Sequence, residues 1–420
     1  MKRSHDDVQK AEFDYKKYVA QNIKSALTHL QTKPDIPDYD KPSLSRLLSG
    51  RKVFYFPSFV LPKQLRRKTL ISNTEVLFGR HGGLFVKKEL GRGTFGRVFL
   101  VNTLDTCNKR TVAIKVQSPT ESLAWEFVVL QRLEKRILLN RKQAVDYAFP
   151  RPINFISLAD GGILNMSAVS ETGLNLVDLS NFYTLKLGKP VPELIAFHYT
   201  SVALRIIEQL HWRGKILVRC TKHISSPKIF CHIILTVALF SSKHCDVKPD
   251  NFVLSNSNYS NTILDDINFS DLTLVDFGNA VDLTQDSDLN AVNTRNILFH
   301  GSAARKDMRC GAMRSGYSWS YDADTFGILC CAHVLLYGNH LDIKKGSSDR
   351  WVPSTTFKRY WKKDLWKEIF DTLLNLGSQR TSLRALRQKI DAHLKTEAKN
   401  LHQLLSRQAN ILPDSREKIQ

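Results

Sequence analysis

A run of eight residues from His244 to Asn251 combines acidic, basic and amide side chains at close spacing. It reads His-Cys-Asp-Val-Lys-Pro-Asp-Asn, and an Asp-Phe-Gly tripeptide begins thirty residues after Asp246. Asp246 can accept a proton from a hydroxyl group, and Lys248 can steady a phosphate. Asn251 and Asp276 can supply oxygen ligands to Mg²⁺. Together these side chains suit the transfer of a phosphoryl group from ATP.

A glycine-rich segment lies upstream, after the strand-like residues 83–90. Gly91, Gly93 and Gly96 follow the pattern Gly-x-Gly-x-x-Gly, and Val98 comes two residues later. Glycines at this spacing let a hairpin close over nucleotide phosphates without clashes of Cβ atoms. A glycine triplet is weak evidence alone, so its weight depends on its order relative to other motifs.

A single lysine, Lys115, interrupts the apolar run 112–116 and follows Ala113 by two residues. A buried ammonium group is costly unless it is paired, so the sequence predicts an acid and a phosphate beside it. The favoured acid is Glu126, which opens a helical pattern that continues to residue 133. Glu121 is close enough in sequence to be the alternative.

The glycine loop, the strand lysine, the catalytic run and the Asp-Phe-Gly tripeptide follow the order found in eukaryotic protein kinases, which residues 83–405 resemble. More specific features resemble the Bub family of mitotic spindle-checkpoint serine/threonine kinases, over roughly residues 36–410. These features are Lys115-Val-Gln, Trp125-Glu126-Phe127, the catalytic loop through Phe252, Cys310 to Asp324 leading into Thr-Phe-Gly, Tyr39 to Leu48, and Leu383 to Leu405.

The resemblance implies an α+β, two-lobed protein-kinase fold. A small antiparallel β lobe is expected at about 83–170, and a mostly helical large lobe at about 171–410, with ATP between them. The remaining ranges would be an N-terminal tail at 1–35, an N-terminal extension at 36–82 and a C-terminal tail at 411–420.

The resemblance also implies roles for individual residues, with ATP and Mg²⁺ as cofactors. Asp246 and Lys248 would be catalytic, and Asn251 and Asp276 would hold the metal ion. Asp324 would hold the backbone beside His244. The expected ATP-binding residues are Gly91, Gly93, Gly96, Val98, Ala113, Lys115 and Glu126, and the expected structural residues are His244, Phe277, Gly278 and Asp324.

Two positions depart from the usual kinase pattern. Most kinases carry Arg before the catalytic Asp, where it pairs with a phosphorylated activation loop, but Cys245 cannot make that charge-assisted pair. We therefore expect no activation by loop phosphorylation, and we interpret Cys245 as a small filler. Ala312 stands where kinases carry a Glu that pairs with an Arg of the large lobe. The substrate-binding loop would thus lack the ion pair that usually keeps it ordered.

Residues 218–243 interrupt the kinase pattern. The helical pattern at 192–212 and the short strand at 215–217 should lead almost directly into His244, and removing the 26 intervening residues (243 minus 217) restores that order. The segment holds four basic residues and no acid, and its run 229–240 is largely apolar.

Four interpretations of this segment compete. A membrane span is disfavoured because the apolar core has about 12 residues, short of the roughly 20 that a bilayer requires. An added strand or buried helix has the hydrophobicity but no place in a kinase core. A translated intron is favoured over a native insertion, because Val218-Arg219 and Lys243 can be encoded by typical intron ends. A zinc site is disfavoured by poor ligand spacing; its candidates are Cys220, His223, Cys231 and His232.

Three hypotheses about function follow. The chain is an active serine/threonine kinase, a checkpoint scaffold with little turnover, or a product that works only without residues 218–243. Closing so long a loop costs only a few kcal/mol, whereas displacing the catalytic turn by about 1 Å can cost on the order of a hundredfold in rate. We expect a retained segment to lie outside the kinase core.

Composition limits the remaining possibilities. A chain of 420 residues holds one two-lobed kinase and no second large domain, so it looks like a kinase-only fragment. Its 7 cysteines are scattered, which fits a reducing compartment. We expect no signal peptide, because no apolar core follows the first residues. We expect no membrane association.

The net charge of +21 favours acidic partners. Residues 341–420 hold 17 basic and 9 acidic side chains, which suits either chromatin contact or an ordinary solvated helix face. The resemblance implies checkpoint and kinetochore proteins as partners and a core histone tail as a substrate. It also implies a location in the nucleus, on chromosomes at the kinetochore.

Overall fold

A computed structural model gives the architecture of the chain. It describes residues 11–32, 53–56, 59–66, 72–77, 83–93, 96–103, 111–118, 121–139, 148–211, 216–219, 234–237, 242–255, 271–282, 297–301, 308–376, 383–414 and 419.

A seven-stranded sheet forms the small lobe. Its strands are β2 (Val53–Phe56), β3 (Thr74–Leu77), β4 (Gly83–Arg92), β5 (Gly96–Thr103), β6 (Thr111–Gln117), β7 (Pro152–Leu158) and β8 (Gly161–Ser167). Their order in the sheet is β2-β7-β8-β6-β5-β4-β3. β2 and β7 run parallel, and the other neighbours in this sheet run antiparallel.

The central strand β6 is covered on both faces, as its β-branched residues predict. Ile114 belongs to one apolar cluster with Phe54 and Leu61, whereas Ala113 belongs to the larger core of the molecule. Side chains two residues apart point to the same face of a strand, so Lys115 projects toward the larger core with Ala113.

Helix α3 (Glu121–Leu139) covers that face of the sheet. Its side chains Leu123, Ala124 and Phe127 are fully buried. Trp125 is also buried, and its indole N–H donates to the carbonyl of Ala280 at 2.8 Å. This bond joins the helix to the residues that follow the Asp-Phe-Gly tripeptide.

Residues 11–32 form two elements, which corrects the expectation of an N-terminal tail at 1–35. Strand β1 (Ala11–Asp14) is followed by helix α1 (Tyr15–Thr32), and a short helix α2 (Lys63–Arg66) lies between β2 and β3. Helix α1 packs against α3 and buries Tyr15 and Tyr18. These aromatic side chains remove apolar area from water, which explains why the segment is docked. In the expected C-terminal tail, Ile419 is buried too.

The large lobe is mostly helical. Its helices are α4 (Leu176–Asn181), α5 (Glu193–His211), α6 (Gly311–Arg314), α7 (Asp322–Tyr337), α8 (Lys363–Leu374), α9 (Leu383–Thr396) and α10 (Ala398–Ile411). Helix α7 is apolar on all sides and lies at the centre, buried from Asp324 through Leu336. Gly327 of this helix lies against Val247, and an added Cβ would overlap the Val247 backbone.

Short strands and turns complete the lobe. The strands are β9 (Ile216–Arg219), β10 (Ile234–Val237), β11 (Ser242–Lys243), β12 (Phe252–Leu254), β13 (Leu272–Leu274), β14 (Val281–Asp282), β15 (Ile297–His300), β16 (Ile343–Lys345) and β17 (Trp351–Pro353). They pair in twos: β1 with β15 in parallel, and β9 with β10, β11 with β14, β12 with β13, and β16 with β17 antiparallel.

The atypical segment divides into two parts. Among the described residues, β9 and β10 pair only with each other, with Ile216 opposite Val237. Ser242 and Lys243, however, pair with β14, and each is only 1% exposed. The expectation that the whole of 218–243 lies outside the core is therefore wrong for its last two residues, because this backbone pairing places them inside. The four zinc-ligand candidates lie outside the described residues.

Among the helices of the described residues, none is both long and apolar enough to cross a bilayer.

Candidate active site

Asp324 fixes the backbone of the catalytic loop. Its carboxylate accepts the backbone N–H groups of His244 at 2.9 Å and Cys245 at 2.7 Å, and it contacts His211 Nε2 at 2.7 Å. Burial favours a raised pKa for Asp324, but these hydrogen bonds lower it below the usual value. Cys245 has a positive φ of 62°, a strained conformation for a residue with a Cβ. The paired backbone bonds to Asp324 hold that turn.

The candidate base and its neighbours lie together. Lys248 Nζ is 2.9 Å from Asp246 Oδ2. Asn251 donates through Nδ2 to the Asp246 carbonyl at 2.9 Å, which leaves the amide oxygen as an acceptor for another partner. Burial would lower the pKa of Lys248, but the nearby charge of Asp246 raises it. The loop thus brings an ammonium group and an amide to one carboxylate.

Lys115 joins the two lobes through two carboxylates. Its ammonium lies 2.6 Å from Glu126 Oε2 and 2.7 Å from Asp276 Oδ1. The acid that pairs with this lysine is therefore Glu126, while Glu121 is exposed at the start of α3. Burial opposes the charge of Lys115, but the two carboxylates raise its pKa. The charge of Lys115 in turn lowers the pKa of Asp276 to about 2.

The aromatic ring of Phe277 is packed between the lobes. It meets His244 edge to face at 4.7 Å and Phe149 at 5.5 Å between ring centroids. Its backbone N–H donates to Glu126 at 3.4 Å, and His244 Nε2 lies 3.0 Å from the Val275 carbonyl. These contacts place Asp276 beside Lys115. Gly278 has no tight neighbour, since an added Cβ would meet no atom closer than 3.7 Å.

The glycine loop forms the turn between β4 and β5. Gly93 N–H donates to the Gly96 carbonyl at 2.9 Å, and Gly91 pairs with Val98 next to a β-bulge. An added Cβ on Gly96 would lie 2.9 Å from the carbonyl oxygen of Val116, so this position requires glycine. Gly93 has no such restriction. In the next pair of strands, Val98 lies opposite Lys115, which places the loop beside the lysine.

Tyr15 reaches the site from helix α1, and no sequence motif marks it. Its hydroxyl donates to the carbonyl of Asn279 at 2.7 Å, and it also contacts Cys245. Burial, followed by the negative charge of nearby groups, raises the pKa of Tyr15 well above its usual value. The contact joins residues 264 positions apart, which a local pattern cannot reveal.

Lys243 is a second residue that the sequence analysis did not place at the site. Its ammonium lies 4.6 Å from the Phe299 ring and 4.8 Å from the Tyr321 ring. It donates to Ser320 Oγ at 2.9 Å and to the Ile297 carbonyl at 3.4 Å. Cation–π contacts and hydrogen bonds thus offset part of the cost of burying this charge.

The sheet lobe, the helical lobe and the site between them define a two-lobed protein-kinase fold. The crystal structure of the BubR1 kinase domain has the same fold, with a TM-score of 0.68 and 21% identity, over 94% of this chain and 98% of that one. No family model matches the chain.

The chain is homologous to Bub1 checkpoint kinases over 76% of its length. The Arabidopsis thaliana mitotic checkpoint serine/threonine-protein kinase BUB1 is 29% identical over 337 residues, which cover 55% of that protein. The Saccharomyces cerevisiae spindle assembly checkpoint serine/threonine-protein kinase BUB1 is 25% identical over 328 residues, or 28% of its length. The chain thus spans about half or less of the length of these relatives.

Proposed function

We propose that the chain is a serine/threonine protein kinase that transfers the γ-phosphoryl group of Mg-ATP. The observation that carries the proposal is the ion-pair bridge from Glu126 through Lys115 to Asp276. Lys115, which is expected to bind phosphate, lies 2.6 Å from Glu126 of the small lobe. It also lies 2.7 Å from Asp276, the carboxylate that is expected to bind the metal ion. Asp246 lies across the same cleft with Lys248 and Asn251 beside it.

Each side chain has a role in this mechanism. Asp246 accepts the proton of the substrate hydroxyl, and Lys248 stabilises charge on the phosphoryl oxygens. Asp276 remains ionised at neutral pH because its pKa is about 2. Asp276 and the free amide oxygen of Asn251 form a donor set that suits Mg²⁺, which prefers oxygen ligands. A bound Mg²⁺ ion would neutralise charge on the phosphates, while Lys115 binds and orients them.

The cellular role that we propose combines the names of the relatives, which mention a mitotic or spindle assembly checkpoint, with what the resemblance to the Bub family implies. The chain acts in the spindle checkpoint, in the nucleus and at kinetochores, on checkpoint proteins or a core histone tail. Its basic C-terminal region provides a surface for acidic chromatin partners. We also propose that the boundary between the lobes lies near residue 170, and that the small lobe includes β2 and β3 in addition to residues 83–170.

A second candidate is a product that is inactive until residues 218–243 are removed. The burial of Ser242 and Lys243 favours it. Removal of the segment would bring Ile216 and Leu217 directly before His244, in the two buried positions of β11. An apolar pair suits those positions better than an ammonium group does. This agrees with the segment being a translated intron, and sequencing the transcript across Leu217 and His244 tests it.

The kinase proposal is tested by Asp246→Asn in the chain lacking residues 218–243. We expect nucleotide binding to persist and the phosphorylation of Ser or Thr to fall by orders of magnitude, because only the proton acceptor is lost. The parent protein and the variant are compared by ATP titration and by phosphate transfer to a protein substrate. Unchanged turnover in the variant would exclude Asp246 as the base, and a parent that binds ATP without transfer would favour the scaffold hypothesis.

A further inference from the structure

The end of the expected activation segment is held by a set of contacts that the sequence motifs do not include. This part is helix α6, which contains Ala312 where kinases carry an anchoring Glu. The structure places the hairpin of β16 and β17 directly against α6. The contacts with this hairpin are therefore a candidate substitute for the missing Glu–Arg pair.

Arg314 makes the polar half of this contact. Its guanidinium donates to Asp342 Oδ1 at 3.1 Å, to the Ile343 carbonyl at 3.3 Å and to the Arg309 carbonyl at 3.0 Å. The side chain of Arg314 is 23% exposed, whereas that of Asp342 is 72% exposed. An ion pair with so exposed a partner contributes little alone. The two carbonyl bonds are directional, and through Arg314 they join the segment that precedes α6 to strand β16.

Trp351 makes the apolar half. Its indole lies on Gly311, the first residue of α6, and a Cβ added there would be 2.5 Å from the ring atoms Cδ1 and Nε1. Gly311 does not have a positive φ, so glycine is needed here for close approach rather than for backbone conformation. Lys345 also packs on the indole, with its ammonium 4.8 Å from the ring centroid.

The hairpin is itself tied to helix α8. The side chain of Asn375 accepts the backbone N–H of Trp351 at 2.8 Å and donates to the backbone carbonyl of Trp351 at 3.0 Å. Arg350 forms a two-bond ion pair with Asp371 at 3.0 and 2.8 Å. The contacts thus run without interruption from α8 through the hairpin to α6. Because the hairpin is bonded to α8, it can fix the position of α6, which it contacts on its other side.

We propose that Arg314 and Trp351 are positioning residues that hold the end of the activation segment in place of the missing acid–arginine pair, and so set the affinity for the protein substrate. The inference rests on the proposed kinase function, because a substrate affinity presupposes a substrate. The order that these residues impose on α6 can be measured without any turnover.

The first test uses Gly311→Ala, with Gly346→Ala in the hairpin turn as the matched control. An added Cβ at Gly346 would meet no atom closer than 3.5 Å, so the control should behave as the parent does. We expect Gly311→Ala to increase amide hydrogen exchange in residues 308–317 and to raise the KM for a protein substrate about tenfold. The KM for ATP should stay unchanged. Trp351→Leu alone should produce the same two changes, since the smaller side chain no longer packs on Gly311.

The second test uses Arg314→Gln and the charge exchange Arg314→Asp with Asp342→Arg. Arg314→Gln should cause the same increases in amide hydrogen exchange and in KM, without a large change in the unfolding midpoint. The variant with the exchanged charges should recover part of the protection from hydrogen exchange. Parent-like hydrogen exchange in both Gly311→Ala and Arg314→Gln would overturn the inference. Parent protein without phosphoryl transfer, but with increased exchange in both variants, would overturn the kinase proposal and leave the positioning role standing.

Discussion

The ammonium group of Lys115 is shared by Glu126 and Asp276, and this sharing determines what a substitution at the site does. One carboxylate is nearly inaccessible, since the side chain of Glu126 is 3% exposed, whereas that of Asp276 is 42% exposed. Removing the ammonium would leave Glu126 as a buried charge without its partner, which is a costly state. Lys115 therefore has separate consequences for stability and for activity.

We predict that Lys115→Met lowers the free energy of unfolding by about 3 kcal/mol, as expected for one lost partner of a buried pair, and abolishes measurable turnover. The double variant with Glu126→Gln should recover much of the stability but none of the turnover, because the phosphate contact is still absent. Urea unfolding and a phosphoryl-transfer assay measure the two effects. Recovery of turnover in the double variant would contradict the role of Lys115.

Cys245 leads to a prediction about regulation. It is buried, and its thiol contacts Tyr15. A thiol cannot form the charge-assisted pair that arginine forms with a phosphorylated residue. Phosphatase treatment of the purified protein should therefore leave its turnover unchanged. Inactivation by the phosphatase, reversed on rephosphorylation, would show that another residue reads an activation-loop phosphate.

At the scale of elements, β1 and α1 connect parts of the kinase that are far apart in sequence. β1 pairs with β15, with Phe13 opposite Phe299, and α1 packs on α3. Arg132 of α3 forms an ion pair with Asp282 at 3.0 Å, next to the same surface. The N-terminal unit thus contacts the helix that carries Glu126 and the strand that precedes α6.

We predict that Tyr15→Phe lowers turnover several-fold and the free energy of unfolding by about 1 kcal/mol, the usual value for one lost hydrogen bond. The hydroxyl bond to Asn279 holds the residue that follows the Asp-Phe-Gly tripeptide. Tyr360→Phe is the matched control, because Tyr360 is 76% exposed. Kinase assays and thermal unfolding compare the two variants. If both have the same turnover and stability, the hydrogen bond of Tyr15 contributes to neither.

The atypical segment can be tested by two deletions of equal length. Deleting 218–243 places Ile216 and Leu217 in the buried positions of β11, whereas deleting 216–241 leaves Ser242 and Lys243 there. We predict that the first variant is more stable by a few kcal/mol, because it buries apolar side chains instead of an ammonium group. It should also be more soluble than the full chain, which carries the apolar run 229–240. Chemical unfolding and sedimentation measure both differences.

Two outcomes would contradict the interpretation of residues 218–243 as a translated intron. If the full chain is as soluble and as active as the chain lacking 218–243, the segment is a native element of the protein. A transcript that always contains the segment would lead to the same conclusion.

At the scale of the whole molecule, the charge of +21 is distributed unevenly. Exposed basic side chains on α9 and α10 include Arg384, Lys395 and Lys399, whereas Lys389 is engaged with Glu368. Unpaired surface cations attract polyanions over a distance set by salt. The same helices bury an apolar stripe against the lobe, so the basic side chains also have an ordinary structural setting.

We predict that changing Arg384, Lys395 and Lys399 to Gln weakens binding to nucleosomal DNA and lowers its dependence on salt, because three phosphate contacts are lost. The matched control changes Lys16, Lys17 and Lys24, which are exposed on α1, and so removes the same charge elsewhere. Titrations at two salt concentrations compare the variants. An equal loss of DNA affinity in the two triple variants would indicate an effect of net charge and not of a specific surface.

Motif order and residue type in the sequence predicted the two-lobed kinase fold and named Lys115, Asp246, Asn251 and Asp276 as site residues, and they favoured Glu126 over Glu121 as the acid that pairs with Lys115. Each of these lies in a short local pattern whose chemistry requires that residue. Only the tertiary structure revealed the contacts near Cys245 and Ala312, where the usual Arg and Glu are missing. The contacts of Tyr15 with Asn279, Arg314 with Asp342 and Trp351 with Gly311 join elements that no local pattern relates. The burial of Lys243 was likewise beyond prediction, because strand pairing with β14, rather than its own polarity, places it in the core.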